Sequence, residues 1–202
     1  ADGEIKALWI ACTNPAQSMP DLRTVRRALE RAEFVVVQEA FATTTTCTYA
    51  DLLLPATTWG EKIGTVTNSE RRISRVRPAV AAPGAARHDW SAVVDFSQRL
   101  EALVPQRSAT TLFPYALDNA AAGAEAIWNE HRESTRGRDL DITGLSWALL
   151  DAQGPQQWPL PEGAAVGKVR LYEDGVFPTP DGRARFDNVV YQPVAEPREP
   201  RY

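Results

Sequence analysis

Several polar side chains stand where hydrophobic runs end, and together they suit one chemistry, the holding of a nucleotide. Thr13 and Asn14 follow the run 5–11, Gln38 and Glu39 close the run that begins at Phe34, and Trp59-Gly60-Glu61-Lys62 follows the run 51–55. If the runs are parallel strands, these residues lie at carboxyl ends, where open α/β sheets take their ligands. An amide in the first turn can hold a phosphate or a base edge. An acid after the second strand, about 25 residues beyond the first turn, can accept hydrogen bonds from ribose hydroxyls. A lysine can neutralise a diphosphate as a compact point charge. Each also has an ordinary role: Asn14 before Pro15 is a common turn pair, Glu39 a solvated acid, Lys62 a surface charge, and Asp89 a helix N-cap. No nucleophile, general base or metal cluster emerges from the pattern, so the residues read as a nucleotide-binding module and not as a complete enzyme.

The elements that must position these groups follow from periodicity. Residues 5–11 read as a short apolar strand and Cys12-Thr13-Asn14-Pro15 as the turn after it. Ser18, Pro20 and Asp21 supply helix-start chemistry. Leu22, Val25 and Leu29 then form one apolar face to about Arg31. Phe34-Val35-Val36-Val37 is a second strand, 43–49 a short helix, and 51–55, closed by Pro55, suits an interior parallel strand. Right-handed crossovers make this βαβαβ unit a parallel, Rossmann-like half, though without a GxGxxG. Residues 64–77 predict a hairpin around Asn68-Ser69, and Pro83-Gly84 a turn. Asp89 starts a helix with Trp90, Val93, Val94, Ser97, Leu100 and Val104 on one side. From Arg107 the pattern weakens, with helical turns near 120–131. From Ala152 prolines and glycines crowd the chain, which predicts extended structure with short strands at 168–172 and 183–186, packed on a neighbour.

Composition narrows the function classes. The 202 residues can bury one core with an appendage. The net charge of −4 weighs against nucleic acid as the main partner. Between Arg71 and Arg87 the chain carries five arginines and no acid. That stretch is either a phosphate-attracting stripe or a hairpin face whose arginines pair with acids elsewhere. Cys12 and Cys47 make no CxxC, and His88 and His131 lie far apart, so neither a disulfide framework nor a zinc or iron–sulfur site is expected. Both thiols read as buried or partly buried small apolar groups. No apolar run approaches the ~20 residues of a membrane span. The first residues show neither an initiating methionine nor a signal peptide and read as a cut before a strand.

Beyond these physical readings, Tyr49-Ala50-Asp51-Leu52-Leu53-Leu54-Pro55-Ala56 with Trp59-Gly60-Glu61-Lys62 and Gly64-Thr65-Val66-Thr67-Asn68-Ser69-Glu70-Arg71-Arg72 resembles a signature of the molybdopterin oxidoreductases of the dimethyl sulfoxide reductase family. Val35-Val36-Val37-Gln38-Glu39-Ala40-Phe41 resembles the family's second strand, and Pro83-Gly84-Ala85-Ala86-Arg87-His88-Asp89-Trp90 its approach to the next helix. Ser134-Thr135-Arg136-Gly137-Arg138, Gln157-Trp158-Pro159 and the run from Phe177 to Phe186 are similar to assimilatory nitrate reductases in particular.

The resemblance implies an α/β fold: a Rossmann-like parallel sheet with flanking helices, then a hairpin and an extended Pro/Gly-rich C-terminal segment. It implies that 1–105 binds one molybdopterin guanine dinucleotide of a molybdenum bis(molybdopterin guanine dinucleotide) cofactor. Residues 106–202 would pack on the rest of the reductase. Cofactor contacts carry over onto Asn14, Gln38, Glu39, Lys62 and Asp89, with no catalytic or metal-ligating residue here. The resemblance further implies a cytoplasmic enzyme reducing nitrate to nitrite, with an electron-donor protein or domain. Its iron–sulfur cluster and metal ligand would precede this internal fragment, which alone would be inactive. Two other readings stand beside it: a cofactor-free structural domain, as in the large peripheral subunit of respiratory complex I, and a relative of the formate dehydrogenase type.

Overall fold

The structure is a computed structural model in which residues 2–104 and 111–194 are described. The expected boundary at 105/106, the weakening at Arg107 and the last two residues lie outside them. The chain divides into two compact units, one ending at Gly167 and one beginning at Lys168.

The first sheet is parallel, in the order β1 (Ala7–Ala11), β2 (Phe34–Glu39), β3 (Leu52–Pro55). Trp9 lies opposite Val36 and Val37 opposite Leu53. Helix α1 (Pro15–Ser18) is a single turn with Pro at its first position, where a missing N–H costs nothing. Helix α2 (Leu22–Arg31) crosses from β1 to β2. Asp21 caps it, accepting from the Thr24 amide at 3.3 Å. Leu29, Val35, Val37, Ala16 and Cys47 form the core under this sheet. Full burial of each valine or leucine contributes about 1.5–3 kcal/mol. The short helix expected at 43–49 is a 3-10 helix, Thr45–Tyr49.

The predicted hairpin is β4 (Gly64–Thr67) with β5 (Arg72–Val76). Asn68 closes its turn, its Oδ1 accepting from the amides of Glu70 and Arg72, both at 3.0 Å. A third strand, β6 (Gln156–Gln157), joins β5 and makes a second sheet. Helices α3 (Asp89–Leu103), α4 (Ala120–Glu133) and α5 (Trp147–Gln153) complete the unit. Ile73, Trp128, Ile142, Leu145, Trp147, Leu150 and Leu160 make its second core. Trp128 donates its indole N–H to the Leu145 carbonyl at 2.8 Å, so its one polar atom is satisfied. Gly123 of α4 lies against Trp90: a Cβ there would stand 2.5 Å from both the Ala116 oxygen and the Trp90 ring. The start of α3 is therefore wedged against α4.

Several expectations are corrected. β3 is not an interior strand. Among the described residues it pairs fully with β2 alone, and its other side meets a one-residue parallel bridge, Ala56 with Arg87. Leu52 and Leu53 remain 43% exposed, since an apolar run marks a strand without marking how many neighbours it has. On α3 the buried positions are Ser91, Ala92, Val94 and Ser97, whereas Val93 and Leu100 are exposed. The strands expected at 168–172 and 183–186 are turns and irregular backbone. The second unit is instead built around a tight turn. The Phe177 amide donates to the Gly182 carbonyl at 2.9 Å, and Tyr172 stacks on Phe177 with centroids 4.9 Å apart. Pro178 and Pro180 have no N–H to give a ladder. No helix among the described residues is long and apolar enough to cross a membrane.

Candidate functional site

The carboxyl edge of the parallel sheet gathers four side chains into one cluster: Cys12, Gln38, Lys62 and Asp89. β1 ends at Ala11, and the next residue, Cys12, continues its ladder by donating its amide to the Gln38 carbonyl at 3.3 Å. Cys12 adopts a left-handed φ of 59°, which aims the chain out of the strand. β2 ends at Gln38-Glu39. After β3 the chain passes through Thr57 and a one-turn 3-10 helix, Trp59–Glu61, to Lys62. The segment from Pro83 returns alongside, with Arg87 N donating to Pro55 O and Thr57 N to Arg87 O, both at 3.0 Å. That bridge delivers His88 and Asp89 to the same edge.

Asp89 is the hub. Its Oδ2 accepts from Lys62 Nζ at 2.7 Å, and its Oδ1 from Gln38 Nε2 at 3.0 Å and from Cys12 Sγ at 3.4 Å. Gln38 Nε2 also reaches the Asp89 carbonyl at 3.1 Å. Asp89 is the first residue of α3, and the N-cap position falls on His88, whose side chain makes no capping bond, so Asp89 is not the N-cap read from the sequence. A carboxylate in a helix's first turn is favoured by the helix dipole. Burial by itself would raise the Asp89 pKa, but the bonds from Lys62 and Gln38, with the lysine charge, hold it below its ordinary value. Burial, then the Asp89 bond and charge, push the Cys12 thiol up, so it is a protonated donor at neutral pH. Burial and then the Lys62 charge push His88 down. His88 lies parallel to Trp90, centroids 6.3 Å apart, with Nδ1 3.3 Å from Thr57 Oγ1.

The other two candidates, Asn14 and Glu39, stand apart from this hub. Glu39 Oε1 accepts from the amides of Ala40 and Phe41 at 2.8 and 3.3 Å, and among the described residues no donor meets Oε2. Asn14 braces the loop. Its Oδ1 accepts from the Thr46 amide and hydroxyl at 3.0 and 2.6 Å, while its Nδ2 donates to Gln17 at 2.8 Å. Cys12 is a member that residue type conceals: composition marks it as a packed thiol, yet it is exposed. Its place directly after β1, level with Gln38, is the signal in the sequence that points to it.

The donor set suits an anionic nucleotide. It offers an ammonium, the positive end of the α3 dipole, an open carboxylate oxygen on Glu39 and one orphaned acceptor. That acceptor is Gln38 Oε1, buried without a partner among the described residues, at a typical cost of about 1–3 kcal/mol. The arginines between positions 71 and 87 are engaged within the chain. Arg72 pairs with Glu70, Arg75 and Arg77 with Asp151, and Arg87 with Asp95, while Arg71 lies over the Trp158 ring. Among the described residues no three metal-binding side chains cluster.

Known proteins share this arrangement of sequence. The nitrate reductase of Synechocystis sp. is 38% identical across 98% of the chain, and the assimilatory nitrate reductase of Haloferax mediterranei 35% identical across all of it. The F420-dependent formate dehydrogenase subunit alpha of Methanocaldococcus jannaschii is 36% identical across 95%. The chain spans only 26–27% of the length of these relatives. The acetylene hydratase from Pelobacter acetylenicus has the same fold, with a TM-score of 0.54 over 88% of the chain and 21% of its own, at 19% identity. Residues 1–99 match the molybdopterin oxidoreductase family model, and this part of the chain is a domain of that family.

Proposed function

We propose that this chain is the cofactor-holding part of a molybdenum enzyme that reduces nitrate to nitrite. The observation that carries the reading is the convergence of Cys12, Gln38, Lys62 and Asp89 on the carboxyl edge of the sheet, in a chain whose relatives along its whole length include nitrate reductases. In this reading the group held is one molybdopterin guanine dinucleotide, bound chiefly by 1–105. Lys62 and the α3 N-terminus meet the diphosphate, as a charge and the positive end of a dipole should. Glu39 Oε2 accepts from ribose hydroxyls. Gln38 Oε1 and the remaining N–H of Asn14 Nδ2 face the base edge, and Asp89 orients Lys62.

When bound, the cofactor supplies two-electron oxygen-atom transfer, taking nitrate, two electrons and two protons to nitrite and water. The residues described here bind and orient it, and none delivers a proton to substrate. The metal ligand, the iron–sulfur cluster, the partner surface for residues 106–202 and the electron donor belong to other parts of a cytoplasmic enzyme. The chain by itself is inactive. A formate-oxidising enzyme is the second reading, favoured by the 36% identity to the formate dehydrogenase subunit. It keeps the same site and changes the substrate, because fold does not fix substrate.

The test is made in the longer protein that carries this sequence. Lys62→Ala and Asp89→Ala lower its molybdenum content while circular dichroism stays unchanged. Normal molybdenum in both variants would refute the site. Nitrate and formate assays of the loaded protein then decide between the substrates.

A further inference from the structure

Trp59 has no part in the hydrogen-bonded hub, yet its side chain is presented beside it. It is 66% exposed, in contrast to the buried Trp128 and Trp147. An exposed indole is costly surface, since an aromatic ring buries about 150–250 Å² when it packs. It is not exposed by slackness. Glu61 Oε2 accepts from the Thr58 amide at 2.8 Å, the Lys62 amide returns to the Trp59 carbonyl, and Gly60 O accepts from the amides of Ala79 and Val80 at 2.7 and 3.1 Å. These bonds fix the one-turn 3-10 helix at both ends and from the side. Lys62 Nζ, held by Asp89, stands 5.9 Å from the Trp59 ring centroid, within cation–π range. A flat hydrophobic face is thus anchored next to the one ammonium of the site.

We propose that Trp59 is a stacking platform for a planar purine-type ring whose phosphates meet Lys62, a contact that would set base against phosphate in the site's specificity. This rests on the nucleotide reading of the same edge. Stacking suits this position because it needs only a π-face, where a hydrogen-bonding residue would need a register.

The test uses the cofactor-free protein, titrated by calorimetry with guanosine diphosphate and separately with inorganic pyrophosphate. Trp59→Ala weakens guanosine diphosphate binding by about tenfold or more and leaves pyrophosphate unchanged, and Trp59→Phe keeps most of the affinity. Lys62→Ala weakens both. Equal loss of both ligands in Trp59→Ala would make the indole a support for Lys62 and overturn the proposal. No change with either ligand would overturn it too, leaving Trp59 as a contact for another protein surface. In both of those outcomes the nucleotide reading survives, provided Lys62→Ala still loses pyrophosphate. A wild-type protein that binds neither probe refutes that reading and the proposal together.

Discussion

Replacing Asp89 by asparagine removes one charge and little volume, and the geometry sets the size of the effect. At 2.7 Å the Lys62 ammonium and the Asp89 carboxylate attract by about 6 kcal/mol gross at an effective dielectric constant of about 20, most of it offset by desolvation. A charge-assisted hydrogen bond is worth about 1.5–3 kcal/mol net. These two side chains keep 32% and 28% of their surface in water, which lowers the expectation to about 1–2 kcal/mol. At about 2–4 °C per kcal/mol for a unit of this size, Asp89→Asn lowers Tm by about 2–8 °C. The assay is a double-mutant cycle at pH 7: Asp89→Asn, Lys62→Met and both together, each melted by circular dichroism. The expected coupling is about 1 kcal/mol, because with Asp89 neutral the loss of Lys62 costs little more. Losses that add to within about 0.5 kcal/mol would refute the reasoning and return Lys62 to the status of a surface charge.

Neighbouring features lead to two more expected outcomes. Gly123→Ala forces a methyl group to 2.5 Å from the Ala116 oxygen and the Trp90 ring, so it destabilises by about 1–3 kcal/mol and alters the near-ultraviolet signal of the tryptophans. Wild-type stability and an unchanged tryptophan signal would mean that α3 is not wedged there. Because the folded pKa of His88 lies below 6.5, the unfolded chain takes up its proton first. The His88 contribution is therefore complete above pH 6.5 and declines as pH falls towards the folded value. An NMR titration places the His88 midpoint under 6.5, and His88→Gln flattens the stability slope in that window. A midpoint at or above 6.5 would contradict the burial argument.

The features legible in the sequence are those that depend on local pattern. β1, α2 and β2 follow from unbroken apolar runs and a three-four stripe, and the hairpin from Asn68 and its alternating flanks. Gln38 and Lys62 are visible because strand ends are where such sheets meet ligands. The features that stay hidden depend on partners distant in the chain. Gln156-Gln157 carries no apolar alternation and is a strand only because β5 offers it a ladder. The second core joins Ile73, Trp128 and Leu160, which no window spans. The exposure of Leu52 and Leu53 reflects the number of neighbours a strand has, which its own composition cannot encode. Residue type alone makes Cys12 a packed thiol, and only the bond to Asp89 makes it part of the hub.

That bond joins positions 77 apart. The site therefore has no local version: a chain emerging from the ribosome makes its first three strands before the residue that organises their edge has been added. Closing a loop of that length carries an entropic cost that nearby contacts do not, so the hub forms late, after the sheet that supports it. If Lys62 and Asp89 hold the cofactor as proposed, it can be accepted only once these distant segments have met, and an unfinished chain would present scattered side chains with nothing to grip.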